Sequence, residues 1–245
     1  MSDGDDIGDT AFGVQVGIGF VGKVATAVIG FVGSVVLARV LGPGNYGLFY
    51  VTLSIAQFLE NPISGWAEAC RKRMTESGFD PGEAVGSVFL IIGLTAVVLG
   101  PLSASVLSIV ASNPVTPVAV PLLFIPMATY WSLSRVLAGR SNFSMSVWGG
   151  VLSTAAKMSL MIGFVLIGFG IWGVVIGTAL GTLLAAPVVF YWIGVRPVLP
   201  SKASLSSIWE FARWSIPRGF VGTALQKMDI VLLGWLVSAG IAGKY

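Results

Sequence analysis

The chain has 245 residues, of which 55% are hydrophobic and 10% are charged, and its net charge is +3. Soluble domains carry about 25% charged residues, so this composition excludes a soluble globular domain and indicates a protein embedded in a membrane. The chain has no histidine and one cysteine, which removes the commonest general base and metal ligand and excludes a disulfide framework. We therefore expect no enzymatic activity, no catalytic residues, no metal and no cofactor.

Seven apolar stretches follow a short acidic N-terminal tail. A membrane crossing needs about 20 residues, so the chain has room for roughly seven helices. The tail is acidic where a secretory signal would be basic, so the first stretch is predicted to be a retained span. The turn residues 42–45 (GPGN) end the first span, and Gly170 separates the fifth from the sixth. The predicted spans are residues 13–38, 48–69, 84–110, 117–137, 143–169, 171–195 and 216–237.

A polar segment at residues 196–214 precedes the last span. Its apolar residues recur at spacings of three and four, and its polar residues lie on the opposite face. This pattern predicts an amphipathic helix that lies in the membrane interface. The apolar positions are Leu205, Ile208, Trp209 and Ala212.

The end of the chain repeats a pattern found near its start. Residues 35–46 and 231–245 are each an apolar helix end followed by a short loop that finishes in Gly-x-Tyr. This predicts that a second copy of a six-span unit begins with the last span. We therefore predict an all-α membrane helix bundle with an acidic tail (1–12), a six-span lobe (13–195), a linker with the interfacial helix (196–214) and the truncated first helix of a second lobe (215–245).

The positions of the cations predict the orientation. Most lie in or beside the even-numbered loops, whereas Arg39 and Lys244 lie on the other side. By the positive-inside rule, the even loops and the N-terminus are cytoplasmic, and the positive charge indicates topology rather than nucleic-acid binding. Because six crossings are an even number, the second copy would have the same orientation, which predicts a parallel repeat. The even-side cations are Arg71, Lys72, Arg73, Arg135, Arg140, Arg196, Lys202, Arg213 and Arg218.

A polar stripe runs along the predicted second span. Its members recur at spacings of three and four, which places them on one helical face. A charged side chain at the centre of a membrane costs roughly 2.5–3.5 kcal/mol. The stripe therefore predicts either a cavity wall with Glu60 as a cation or proton site, or a carboxylate paired with a lysine that only holds the bundle together. Its members are Gln57, Glu60, Asn61, Ser64 and Glu68.

Three lysines lie inside predicted spans. Lys157 is near the middle of the fifth span, and Lys227 is close to Asp229 in the last span but points to a different side. Lys23 lies well inside the first span, although snorkelling to the interface would also explain it. A positive cavity suits an anionic group such as a phosphate. We therefore predict that Lys23, Lys157 and Lys227 bind substrate and that Gln57, Glu60, Asn61 and Asp229 line the cavity or couple transport.

A row of small residues marks the predicted sixth span. Gly173, Gly177 and Gly181 are four residues apart and share one helical face. Such a row is typical of two membrane helices whose backbones approach closely. It predicts close helix packing rather than a binding site.

Four stretches resemble a known family. Residues 37–49 (LARVLGPGNYGLF) resemble the first hairpin of the polysaccharide biosynthesis and oligosaccharide flippase proteins, which belong to the multidrug/oligosaccharidyl-lipid/polysaccharide exporter superfamily. Residues 135–140 (RVLAGR) are similar to the loop after the fourth span, and residues 168–173 (GFGIWG) to the turn between the fifth and sixth spans. The interfacial helix lies where that family places one.

The resemblance implies a transporter of lipid-linked sugars across the cytoplasmic membrane. Two lobes would surround a central cavity and rock to expose it to each side in turn. Lys23 and Lys227 would hold the phosphate of the lipid. Because the chain ends at Tyr245, we expect its partners to include the bilayer, the lipid-linked sugar, and either a missing second lobe or a second copy of the chain.

Three other functions stay open from the sequence. A drug or organic-cation antiporter of the same superfamily would favour carboxylates in its cavity, whereas here lysines outnumber them. A retinal-binding seven-helix protein would use a lysine in the last span, but the predicted third span has no acid to serve as its counterion. A membrane-embedded transferase lacks support because the chain has no histidine and no acidic loop motif.

Overall fold

The computed structural model describes residues 3–76, 78–111, 113–140 and 143–236, with side chains described within 17–76, 78–111, 113–140 and 144–227. All regular elements in these ranges are helical, which confirms the predicted all-α class. A π-helical segment, Val165–Phe169, joins the fourth and fifth helices. The six α-helices are α1 (Asp3–Arg73), α2 (Pro81–Val110), α3 (Val115–Gly139), α4 (Phe143–Phe164), α5 (Gly170–Ile193) and α6 (Lys202–Leu236).

Two apolar helical stretches are too long for one crossing. Gly17–Arg73 has 57 residues and Ser144–Ile193 has 50, whereas one crossing needs about 20. Each stretch contains glycine in the left-handed region: Gly42 has a φ of 74°, and Gly168 and Gly170 have φ of 96° and 55°. Only glycine adopts these angles without steric cost, so the chain bends at both places.

The two bends lie where the sequence predicts span boundaries. At the first, the chain is helical again from Pro43, so there is no loop through residue 45. Proline is tolerated in the first turn of a helix because no intrahelical partner is lost there. The predicted turn is therefore shorter in the structure than the sequence suggested.

Two further helices are long and apolar enough to cross a membrane. They are Pro81–Val110, with 30 residues, and Val115–Gly139, with 25. Within its described residues, α6 has no stretch of comparable hydropathy. The chain is therefore a multi-pass helical membrane protein, and the count of about seven spans stays a prediction.

Helix α6 combines two segments that the sequence predicts to be separate. The predicted interfacial helix and the start of the predicted last span form one helix, Lys202–Leu236, with Pro217 inside it. A proline removes only one intrahelical hydrogen bond, so the helix continues through this position. The second copy of the repeated pattern reaches into residues 237–245, which lie outside the described residues, so the predicted second lobe stays a prediction.

Helix α3 is at the centre of the bundle. It packs against α1, α2 and α5, and its side chains Phe124, Tyr130 and Leu137 are fully buried. The outer surface is apolar instead of polar: on α2, Val97 is 74% and Ile109 is 85% exposed. Large apolar side chains on the outside of a multi-pass bundle are typical of a lipid-facing surface.

The glycine row packs α5 tightly against α4, as the sequence predicts. A Cβ atom on Gly177 would lie 2.5 Å from the Met161 amide nitrogen, and one on Gly181 would lie 2.5 Å from the backbone of Lys157. Real Cβ atoms do not approach other atoms so closely. The row therefore fixes the position of α4, and with it the backbone position of Lys157.

Candidate functional site

The polar stripe of the predicted second span faces other helices. Glu60 is 8% and Asn61 is 5% exposed, whereas Gln57, Ser64 and Glu68 are half-buried. All five lie on the part of α1 that follows the bend at Gly42. A carboxylate buried inside a membrane bundle needs cations or polar groups around it.

Two cations from other helices act on Glu60. Arg135 near the end of α3 and Lys157 on α4 both exert a Coulombic attraction on its carboxylate, and Lys157 is attracted by Glu60 in turn. Among the described residues, Glu60 forms no direct ion pair with either cation. The structure therefore brings Glu60 close enough to Lys157 for a Coulombic attraction without a direct ion pair.

The other predicted substrate-binding lysines have different surroundings. Lys23 is exposed on α1, next to Gly22, which packs against Val147 of α4. Lys227 is half-buried on α6. The side chain of Asp229 lies outside the described residues.

Asn61 joins α1 to α6. Its Oδ1 accepts a hydrogen bond of 2.9 Å from the hydroxyl of Thr223, and its Nδ2 donates to the carbonyl of Phe58 at 3.2 Å. One turn further along, the hydroxyl of Ser215 donates to the carbonyl of Gly65 at 3.2 Å. These polar contacts hold the last described helix against the polar stripe.

A cavity of about 490 Å³ opens at the end of this seam. We call it the charged cleft. Its walls come from α1, α3 and α6, three elements that are far apart in the sequence. The lining residues are Ser64, Gly65, Glu68, Arg135, Phe211, Trp214, Ser215, Arg218 and Gly219.

Arg135 is held in place within the charged cleft. Its Nη1 donates to the hydroxyl of Ser64 and, at 3.3 Å, to the Ser64 carbonyl. Its Nε lies 3.9 Å from a carboxylate oxygen of Glu68. Glu68 also accepts hydrogen bonds from Arg71, whose Nε lies 3.1 Å from both carboxylate oxygens. Arg218, on the α6 wall, is exposed and forms no ion pair among the described residues.

The sequence did not identify the charged cleft. Arg135 and Arg218 lie in or beside predicted cytoplasmic loops, so the sequence indicates only their contribution to topology. No spacing along the chain shows that the ends of α1, α3 and α6 converge. The one usable signal was that Ser64 and Glu68 continue the stripe of Glu60 towards the same end.

A buried hydroxyl cluster between α3 and α4 was also not foreseen from the sequence. The hydroxyls of Ser134 and Ser146 are 2.9 Å apart. The hydroxyls of Tyr130 and Ser153 are buried nearby and have no hydrogen-bond partner among the described residues. A buried hydroxyl without a hydrogen-bond partner carries a desolvation cost.

The chain matches the family model described as "Polysaccharide biosynthesis protein" over residues 13–245. Two curated proteins of Haloferax volcanii are similar. "Probable flippase AglR" is 22% identical over 231 residues, which are 88% of this chain and 46% of that protein. "Probable low-salt glycan biosynthesis flippase Agl15" is 24% identical over 241 residues, which are 92% of this chain and 48% of that protein. The chain thus spans about half the length of these relatives.

Two solved structures with similar folds are multidrug transporters. One is the MATE multidrug transporter DinF-BH, solved with a bound ligand, with a TM-score of 0.66 and 15% identity over 93% of this chain and 57% of that one. A second is an outward-facing transporter of the same family, with a TM-score of 0.64 and 16% identity over 94% of this chain and 61% of that one. At these identities the likeness is one of fold.

Proposed function

Because the chain belongs to the polysaccharide biosynthesis protein family, we propose that the intact protein moves a lipid-linked oligosaccharide or polysaccharide precursor across the cytoplasmic membrane. It works by alternating access: the cavity opens first to one side and then to the other. The names of the two curated relatives support the flippase assignment. Both relatives are about twice as long as this chain, which supports a partner lobe that is supplied by further sequence or by a second copy.

The observation that carries this proposal is the burial of Glu60 near Arg135 and Lys157. A buried carboxylate with cations from two other helices near it supports a polar path through the membrane. A buried pair that only held the bundle together would be expected to make direct hydrogen bonds, since unmatched burial of charge is costly. Among the described residues, Glu60 makes no direct ion pair with either cation.

The predicted residues take two roles in this proposal. Lys23, Lys157 and Lys227 contact the anionic headgroup as it passes, because ammonium groups bind phosphate oxygens strongly in a low-dielectric cavity. Glu60, with Gln57, Asn61 and Asp229, lines the cavity and responds to the coupling cation or proton. Loss of Glu60's negative charge would release Lys157 for the headgroup.

The orientation follows from the same cations that the sequence placed in even loops. The N-terminus is cytoplasmic, and the charged cleft lies at the cytoplasmic end of the bundle, beside Arg71, Lys72 and Arg73. Substrate therefore enters near the cleft and leaves at the opposite end, past the bend at Gly42.

A surface-glycan assay tests this proposal in cells. Cells whose only copy of the intact protein carries Lys157→Gln should display about tenfold less exported glycan, because one charge-assisted hydrogen bond to the substrate is lost. Lys202→Gln is the matched control, since Lys202 is exposed at the start of α6 and lies outside the charged cleft. Normal glycan display by the Lys157→Gln cells, with the protein present in the membrane at wild-type amount, would contradict the assigned role of Lys157. Resistance to organic cations that depends on the protein, without any effect on glycan display, would favour a drug antiporter instead.

A further inference from the structure

We infer that the charged cleft is a phosphate-binding entry site, separate from the lysines within the spans, that takes the phosphate or diphosphate of a lipid headgroup at the cytoplasmic surface. The inference deepens the proposed function and rests on it for the identity of the lipid. Four observations on the described residues carry it: the charge balance of the cleft, the free donors of its arginines, its size and its depth.

The charge balance of the cleft is positive. The carboxylate of Glu68 accepts from Arg71 through both oxygens and lies 3.9 Å from the Nε of Arg135, so its single negative charge is shared between two arginines. Glu60 does not line the cleft and is also attracted by Lys157. Arg135 and Arg218 therefore make the cleft a positive pocket, which attracts a divalent phosphate group.

The two arginines have unused donors. A guanidinium has five N–H groups in a planar fork that matches phosphate oxygens. The Nη1 of Arg135 donates its hydrogen bonds to Ser64, whereas the Nη2 of Arg135 has no hydrogen-bond partner among the described residues. The contact with Ser64 orders the side chain before a ligand arrives, which lowers the entropy lost on binding. Arg218 is exposed and makes no hydrogen bond or ion pair within the described part of the chain.

The size and walls of the cleft fit an amphiphile. Its volume of about 490 Å³ lies within the usual range of roughly 300–1,000 Å³ for ligand sites. Phe211 and Trp214 supply aromatic walls beside the arginines. The phosphate of such a ligand would contact the arginines while its apolar parts contact the aromatic rings.

The depth of the cleft favours a lipid headgroup. Trp214 is 71% exposed on α6, and tryptophan is enriched at membrane–water interfaces. Lys72, which lies over the Phe211 ring at 4.4 Å, adds a cation beside the same wall. Headgroup phosphates lie at this level, and clustered cations next to it attract them.

A binding experiment tests the inference with the intact protein in nanodiscs of neutral lipid. The probe is geranylgeranyl diphosphate, and geranylgeraniol is the uncharged comparison. We expect the wild type to bind the diphosphate and not the alcohol, with an affinity that falls as salt is raised. Arg218→Gln should weaken binding about tenfold, and Arg135→Gln with Arg218→Gln about a hundredfold.

Two further variants separate a binding site from a structural contact. Glu68→Gln removes the carboxylate of the cleft and should tighten binding about fivefold, an outcome that a purely structural role does not produce. Arg196→Gln is the matched control, because Arg196 is exposed in the linker and lies outside the cleft; it should bind as the wild type does. Unchanged binding by both Arg218→Gln and Glu68→Gln would overturn the inference, whatever Arg135→Gln does to folding.

Competitors identify the source of the phosphate. Inorganic pyrophosphate should compete weakly, and nanodiscs that contain phosphatidylglycerol should leave the affinity for the probe nearly unchanged. Full competition by pyrophosphate would assign the cleft to a soluble phosphate, and full competition by phosphatidylglycerol would assign it to bulk membrane lipid; either result overturns the entry site. If the double variant Arg135→Gln, Arg218→Gln transports a lipid-linked sugar as fast as the wild type does, the entry site is refuted and the proposed function stands. Arginine-dependent binding without any transport of lipid-linked sugars would instead refute the proposed function and keep the site.

Discussion

Replacing Gly177 by alanine tests how closely α4 and α5 pack. The new Cβ would lie 2.5 Å from the amide nitrogen and 2.6 Å from the Cα of Met161. Ordinary van der Waals contact begins at 3.4 Å, so the helices must separate by about 0.9 Å or shift along each other. Overpacking of this kind costs about 1–3 kcal/mol.

Gly163 on α4 provides the matched control. A Cβ added there meets nothing within 4 Å, so Gly163→Ala gains only the helix preference of alanine, about 0.5–1 kcal/mol. Both variants gain this preference, so the difference between them isolates the cost of packing. For a chain of this size, about 1 kcal/mol shifts the melting temperature by roughly 2–4 °C.

Thermal unfolding in detergent, followed by intrinsic tryptophan fluorescence, measures the difference. We expect Gly177→Ala to melt several degrees below Gly163→Ala. Because a Cβ on Gly181 would press on the backbone of Lys157, Gly181→Ala should lower both the melting temperature and transport. Equal melting temperatures for Gly177→Ala and Gly163→Ala would refute the close contact between α4 and α5.

Three further predictions concern other parts of the molecule. Tyr130→Phe should leave the melting temperature unchanged or raise it slightly. The buried Tyr130 hydroxyl has no hydrogen-bond partner among the described residues, so its removal relieves a desolvation cost. A loss of more than about 1.5 kcal/mol in the free energy of unfolding would mean that bound water satisfies the hydroxyl. A double-mutant cycle of unfolding free energies with Asn61→Ala and Thr223→Val should give a coupling energy of about 0.5–1.5 kcal/mol, because the two side chains share a 2.9 Å hydrogen bond. A coupling energy near zero would argue against that contact. In a labelling experiment on whole cells, Lys202→Cys should react only after the membrane is made permeable and Asn45→Cys should react from outside, because the positive-inside rule predicts that residue 202 is cytoplasmic. The reverse pattern would invert the predicted orientation, and the buried Cys70 contributes little background.

The sequence predicted the helical class and the places where the chain bends. Gly42 and Gly170 were recognisable because glycines interrupt otherwise continuous apolar stretches, and the row that includes Gly177 indicated close packing through its spacing alone. These features are local, so they depend on residues near each other in the chain. The burial of Glu60 was also foreseeable, since its stripe has a clear helical period.

The sequence could not reveal contacts between distant elements. The sequence predicts a boundary between the interfacial helix and the last span near residue 214. The structure has one helix there, which Ser215 ties to Gly65 of α1. The sequence indicated Arg135 only as a loop cation, although α3 brings this residue to Ser64 and near Glu60. Which helix ends converge is decided by packing in three dimensions, and no periodicity records it.

Transport of a defined substrate by the purified intact protein tests the central claim most directly. The protein is reconstituted into vesicles with a fluorescent lipid-linked oligosaccharide, and the fraction that crosses the bilayer is read from the loss of signal after an impermeant quencher is added. We expect the protein to move this substrate between leaflets. The double variant Glu60→Gln, Lys157→Gln should slow the movement at least about tenfold, whereas Lys202→Gln should not. Vesicles in which the protein moves an organic cation but leaves the lipid-linked oligosaccharide in its original leaflet would contradict the central claim.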